Sequence, residues 1–155
     1  MARGDFVLFE EFALTLGHNA TAMQLNGSDS IRLGIVDGEA PVPVASSATP
    51  TWDDFSGNEV GTGGTDYPAN GYVLVTPTYT EAAGVAKFDA ADITIQQDEG
   101  GFTNGYWGIL YNYTQGGASG ACIGFLDLDG PVSEVAGPIV ITWHASGIFT
   151  VTITP

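Results

Sequence analysis

The residues best suited to chemistry in this chain are few and scattered. Cys122, within Ser-Gly-Ala-Cys-Ile-Gly, is the only thiol, and His18 and His144 are the only imidazoles. A cysteine nucleophile needs a base within hydrogen-bond reach, so Cys122 with His144 is the pairing the sequence invites. No recognisable orienting group or oxyanion element accompanies it. A lone cysteine beside small and apolar residues reads better as a buried strand position, and it can form neither an internal disulfide nor a cysteine metal cluster. His144 falls in Trp-His-Ala-Ser-Gly, where an exposed turn residue needs no further role.

Carboxylates are plentiful. Eighteen acidic residues face three basic ones, Arg3, Arg32 and Lys87, for a net charge of −15. Their number alone makes no glycosidase pair. Asp127-Leu-Asp129-Gly130 and Asp37-Gly-Glu39 carry oxygens of the kind calcium takes, but both lack the fixed ligand positions and closing glutamate of an EF-hand loop. They read as turns. Gly61-Thr-Gly-Gly64 lacks the lysine and the strand–loop–helix setting of a phosphate loop. No catalytic, cofactor-binding or metal-ligating residue is therefore expected, nor any cofactor, and the chain is not expected to be an enzyme. Three scattered cations cannot build a nucleic-acid footprint or hold an anionic lipid surface, so neither nucleic acid nor membrane is an expected partner. No apolar run approaches the length of a membrane span.

Three short motifs carry little weight. Arg3-Gly4-Asp5 is the tripeptide integrins read, but recognition needs a presented loop tip. Asn19-Ala-Thr21 and Asn112-Tyr-Thr114 match the glycosylation acceptor pattern. That pattern is idle without export, and the opening residues do not read as an export signal, because Glu10 and Glu11 interrupt the first apolar run. Aromatic side chains concentrate in Tyr106–Tyr113, where alternation puts Trp107, Ile109, Tyr111 and Tyr113 on one face. Such a face is either the core of a sandwich or a platform on which sugar rings stack.

The elements that must position these residues are strands. Abundant glycine, threonine and β-branched residues, and turn signals at short intervals, point to one all-β domain over residues 1–155, a jelly-roll-like β-sandwich. At this length it can bury roughly 70% of the surface its unfolded chain exposes. Strands are expected at Ile31–Val36, Tyr72–Thr76, Val85–Phe88, Ile93–Gln96, Tyr106–Tyr113, Cys122–Leu128, Ile139–Trp143 and Ile148–Thr154, with Asp129-Gly130 as a turn. The last two read as a hairpin about His144. In the final run Phe149, Val151 and Ile153 face one way and Thr150, Thr152 and Thr154 the other, and the hairpin's closing strand is expected to complete the sheet. Phe6–Leu16 fits a short helix or an apolar N-terminal arm over residues 1–17, with a strand reading close behind. Residues 37–70 form a long irregular excursion from the sandwich, containing the proline-rich Pro41–Pro50 and one helical turn near 51–56 capped by Thr51.

The order of these features resembles a family of small tailed-phage virion proteins, whose best-understood members are capsid decoration, or cement, proteins. The resemblance lies in the N-terminal Phe-x-x-Phe segment, the strand Ile31–Val36, a loop carrying Trp52-Asp53, and Asn70-Gly-Tyr-Val. It continues through Ala86-Lys-Phe-Asp-Ala-Ala-Asp-Ile-Thr94, Ile109-Leu-Tyr111, Cys122-Ile-Gly-Phe-Leu-Asp127 and the terminal hairpin. The acidic stretch at residues 37–66 matches least. The resemblance implies a virion structural protein on the capsid exterior, partnered by the major capsid protein and by its own copies, as a trimer. Two other readings stand beside it: a carbohydrate-binding module using Trp107, Tyr111 and Tyr113, and a tail- or fibre-associated virion protein.

Overall fold

The computed structural model describes residues 4–17, 23–64 and 66–152. Among these residues ten strands, two short helices and one 3₁₀ turn (Gly117–Ser119) build an all-β sandwich. The strands are β1 (Phe6–Leu8), β2 (Ile31–Val36), β3 (Tyr72–Val73), β4 (Thr78–Ala82) and β5 (Val85–Asp89), then β6 (Ile93–Ile95), β7 (Gly105–Asn112), β8 (Cys122–Val132), β9 (Ile139–Ile141) and β10 (Phe149–Thr152). The helices are α1 (Phe12–Gly17) and α2 (Asp53–Ser56). A five-stranded antiparallel sheet in the order β1-β8-β7-β2-β3 faces a second layer of two pieces, β10-β5-β4 and β6-β9.

The large sheet is buried on both faces, which explains the near-continuous apolar runs of β2, β7 and β8. Ile31, Leu33 and Ile35 of β2, with Leu110 and Leu126, point into the main core against Phe88, Ile93, Ile95, Ile141 and Phe149 of the second layer. The opposite face carries Val36, Ile109, Tyr111, Cys122 and Phe125, covered by Phe9, Ala40, Trp52 and Phe55. Residues 37–70 therefore do not leave the sandwich. They cross the outer face of the large sheet and seal it. At the far end of this stretch Val60 and Tyr67 join the main core.

Several expectations are corrected by non-local pairing. The two C-terminal runs do not form a hairpin: β9 pairs with β6 (Ile93↔Ile141), while β10 pairs with β5 (Phe149↔Phe88). The segment around His144 instead carries the chain from one piece of the second layer to the other. Alternation in β10 holds, with Phe149 buried and Thr150 and Thr152 exposed, while Ile153 and Thr154 lie outside the described residues. Asp129-Gly130 does not end β8. The strand continues to Val132 through a bulge, so that Gly105↔Val132 is followed on β7 by Trp107↔Asp127. Gly130 lies directly on the Gly105 carbonyl there, an approach that a side chain at this position would block.

Thr78–Ala82 is a strand that alternation did not reveal, because it is an edge strand whose residues are nearly all exposed. It enters a two-residue hairpin loop, Ala83-Gly84, with φ of 53° and 80°, the left-handed pair that matches strand twist. The expected strand at 72–76 stops after Val73 because Thr76 (φ 50°) turns the chain into Pro77. Phe6–Leu16 is not a free arm. Its first part is β1, paired with β8 (Val7↔Phe125), and its second is α1, with Phe9 and Phe12 fully buried. Thr51 does not cap α2 through a backbone amide: both its N–H and its hydroxyl donate to Asp54 Oδ2, at 2.8 and 3.1 Å.

Candidate functional site

The sealed face of the large sheet brings together aromatic and polar side chains from β2, β7, β8 and the 37–56 stretch. Trp52, carried in from the loop before α2, stacks on Tyr111 of β7 with ring centroids 4.8 Å apart and planes 8° from parallel. Gly34 of β2 makes room for it, since a Cβ there would run into the indole six-membered ring. Beside the stack the Arg32 guanidinium lies 3.6 Å over the Tyr113 ring, a cation–π contact. The face on which Trp107, Ile109, Tyr111 and Tyr113 align is thus core. Its centre is occupied by Trp52, so a sugar ring has no access to the face of Tyr111.

Two buried or half-buried carboxylates organise the ends of this region. Glu59, paired across from Val36, accepts hydrogen bonds from the Tyr67 hydroxyl (3.0 Å) and from the amides of Asn70 (3.2 Å) and Gly71 (2.9 Å). Tyr67 in turn accepts from the Ile35 amide at 2.7 Å. Burial, then the neighbouring Glu59 charge, pushes the Tyr67 phenol well above its ordinary range. Tyr111, whose hydroxyl donates to the Asn70 carbonyl, is raised chiefly by burial. Gly71 needs its own backbone freedom here: at φ 79° it sits against the Leu33 carbonyl. Asp29 accepts from the Gln24 amide (2.9 Å) and from the side chains of Asn112 (2.6 Å) and Gln115 (3.3 Å). These are structural acceptors with their donors already in place.

The candidate chemistry is not brought together. Cys122 is buried under the Trp52 lid, and burial, then Asp54, pushes its thiol well above the usual range. His144 is exposed on the loop leading to β10, in the opposite layer. Neither lines the cavity of about 630 Å³ that lies between the end of β8 and β9, whose walls include Leu126, Asp127, Leu128, Ile139, Ile141 and Trp143. A buried thiol held protonated is a poor nucleophile. Cys122 is accordingly expected to resist a thiol reagent in native protein and to react within the mixing time once denaturant is added. Rapid native labelling would show that the lid opens readily.

The other motifs resolve in the same way. Asp127 Oδ1 accepts the Asp129 amide at 2.7 Å within the β8 bulge, and Asp37 Oδ1 accepts the Glu39 amide at 2.9 Å in a turn, both local bonds. Among the described residues no three His, Cys, Asp or Glu side chains converge on one point. Asn112 is fully buried and its amide nitrogen is committed to Asp29, so it is no glycosylation acceptor in the folded domain. Asn19, His18 and Arg3 lie outside the described residues. The Gly4 amide, in the middle of the Arg-Gly-Asp triplet, donates to the Asp127 carbonyl of β8. Among the described residues no helix is long and apolar enough to cross a membrane.

Nothing in the sequence marks Asp29 and Glu134 as buried or Glu59 as half-buried. Each stands in a polar, glycine-rich context that reads as exposed loop, and only the tertiary fold closes over it. No family model, curated protein or solved structure matches this chain.

Proposed function

We propose that this chain is a structural protein of a tailed-phage virion, a decoration protein that docks as a trimer on the major capsid protein and cements the outer shell. The observation that carries the proposal is where the domain leaves apolar side chains uncovered. Leu14 on α1 and Val42 and Val44 on the proline-rich segment are each more than half exposed, as are Val75 and Val140 elsewhere on the domain. The two segments are joined, since the Glu10 amide donates to the Ala45 carbonyl at 2.9 Å. Exposed apolar side chains on two joined segments of a strongly acidic protein suit docking against a neutral or basic protein patch. The resemblance of the chain to phage decoration proteins supports the same reading. So does the sealing of the aromatic face, which removes the surface a carbohydrate-binding module would use.

Deleting residues 1–16 is no test, because it would remove β1, Phe9 and Phe12 from the fold. Point substitutions are. Val42→Asp with Val44→Asp is expected to weaken binding to undecorated particles at least about tenfold, the loss typical of a central interface contact, while leaving thermal unfolding unchanged. Sedimentation of the free protein should give a trimer. A stable monomer whose particle binding is untouched by both substitutions would overturn the proposal.

A further inference from the structure

β9 is an edge strand. Among the described residues it pairs only with β6, through Ile93↔Ile141, Thr94↔Val140 and Ile95↔Ile139. Two bonds at the ends of this pair fix which way its backbone groups face. The Trp143 amide donates to Asp92 Oδ1, on the β6 side, at 2.9 Å, and the Gln96 amide donates to Asp66 Oδ2 at 2.8 Å and not across to β9. Backbone groups alternate in direction along an antiparallel strand. Ile139 and Ile141 therefore bond to β6, while Val140 and Thr142 turn their N–H and C=O groups outward. Natural sheet edges are blunted by charge, proline or a bulge. Ile139-Val-Ile-Thr-Trp143 has none of these.

This open edge borders the cavity of about 630 Å³, which Val140 and Thr142 line together with Leu126, Leu128 and Trp143. Here the sandwich stands open. β1 covers β8 only as far as the bond from Gly4 to Asp127, and β8 runs on to Val132 with no strand paired on that side among the described residues. Pro131 removes an N–H from that stretch of β8, which leaves β9 as the edge able to bond a further strand. The indole of Trp143, held by its Nε1 donating to the Ala91 carbonyl at 3.1 Å, forms a fixed aromatic wall. Charge is arranged around this place in a particular way. Residues 135–155 contain no Asp, Glu, Lys or Arg, and all eighteen acids of the chain precede them. A strip depleted of charge has the composition of an interface centre. No cationic residue lines the cavity, and Asp127 stands on its wall.

We propose that the edge of β9 takes up an extended segment of another protein as an added strand, with apolar side chains at alternate positions and lysine or arginine between them. Backbone bonds to Val140 and Thr142 supply affinity, and the cavity selects the apolar side chains that enter it. The basic residues answer the net charge of −15 that surrounds the uncharged strip. A second copy of this chain is a poorer occupant, because it has no cationic strand to offer. Its described cations, Arg32 and Lys87, lie on β2 and β5, which are both interior strands paired on either side. The inference is independent of the capsid role.

The test titrates the full chain into a fluorescein-labelled peptide, Lys-Val-Lys-Val-Thr-Val-Lys-Val-Lys, followed by anisotropy, with amide hydrogen exchange to locate the peptide. One-to-one binding is expected, with slowed exchange at the Val140 and Thr142 amides. N-methylating one alternate set of peptide amides should weaken binding at least about tenfold, and methylating the other set should leave it unchanged. Val140→Pro should weaken binding as much without lowering Tm, because the N–H it removes bonds to nothing within the domain. A peptide with glutamate in place of every lysine should not bind. Equal affinity for both methylated peptides would show adherence by charge alone and overturn the proposal, as would no binding up to about 1 mM or protection confined to other strands. Self-association in sedimentation that Val140→Pro abolishes would give the edge to a second copy and overturn it too. Should Val140→Pro fail to fold, the two methylated peptides and the exchange pattern decide the matter with the natural chain.

Discussion

Trp52→Ala is expected to destabilise the domain by about 3–5 kcal/mol, read from denaturant unfolding. The indole is fully buried, stacks on Tyr111 and fills the space that Gly34 leaves open. Its removal leaves a cavity lined by a rigid sheet that cannot collapse into it. Its Nε1 has no hydrogen-bond partner, so Trp52→Phe sacrifices packing but no polar contact, and it should cost clearly less. Gly34→Ala tests the same contact from the other side, because the new methyl would displace the ring. A cost below about 1 kcal/mol for Trp52→Ala, the range of surface changes, would show that residues 37–56 are a loose flap and not a second core.

Phe149→Ala should cost about as much, about 3–5 kcal/mol. Its ring packs between Phe12 and Phe88, with centroid distances of 5.2 Å to each, and so joins α1, β5 and β10. Thr150→Ala and Thr152→Ala, on the exposed face of β10, should cost well under half of that. His144→Ala should be close to neutral for stability. Unfolding caused by the threonine substitutions together with a silent Phe149→Ala would mean that β10 pairs in the opposite register.

The central strands of the large sheet, β2, β7 and the first part of β8, were legible because their apolar runs are bounded by glycine and aspartate turns, and Ile31–Val36 was recovered to the residue, whereas β1 read as a helix or arm. Phe149 could be assigned to the core from alternation alone. Pairing was not legible. Ile139–Trp143 and Ile148–Thr154 have the spacing of a hairpin, and nothing local says that their partners are β6 and β5, more than forty residues away for β9 and about sixty for β10. The role of residues 37–70 was hidden for a related reason: proline and glycine signal irregular backbone, but irregular backbone can still cover a sheet. Trp52 and Phe55 were the clue, two large apolar side chains in a stretch otherwise rich in polar and small residues. Glu134 carried no clue at all, since Ser-Glu-Val-Ala-Gly reads as a solvated turn until Gly64 and Gly101 close on it.

The proposed decoration role is tested most directly by a density map of tailed-phage particles bearing this chain. The sandwich is expected on the outer face of the shell, in three copies about a symmetry axis, with α1 and residues 41–45 against the major capsid protein. Density for the chain in the tail or inside the shell, or shell-bound copies whose Leu14, Val42 and Val44 all point to solvent, would contradict it.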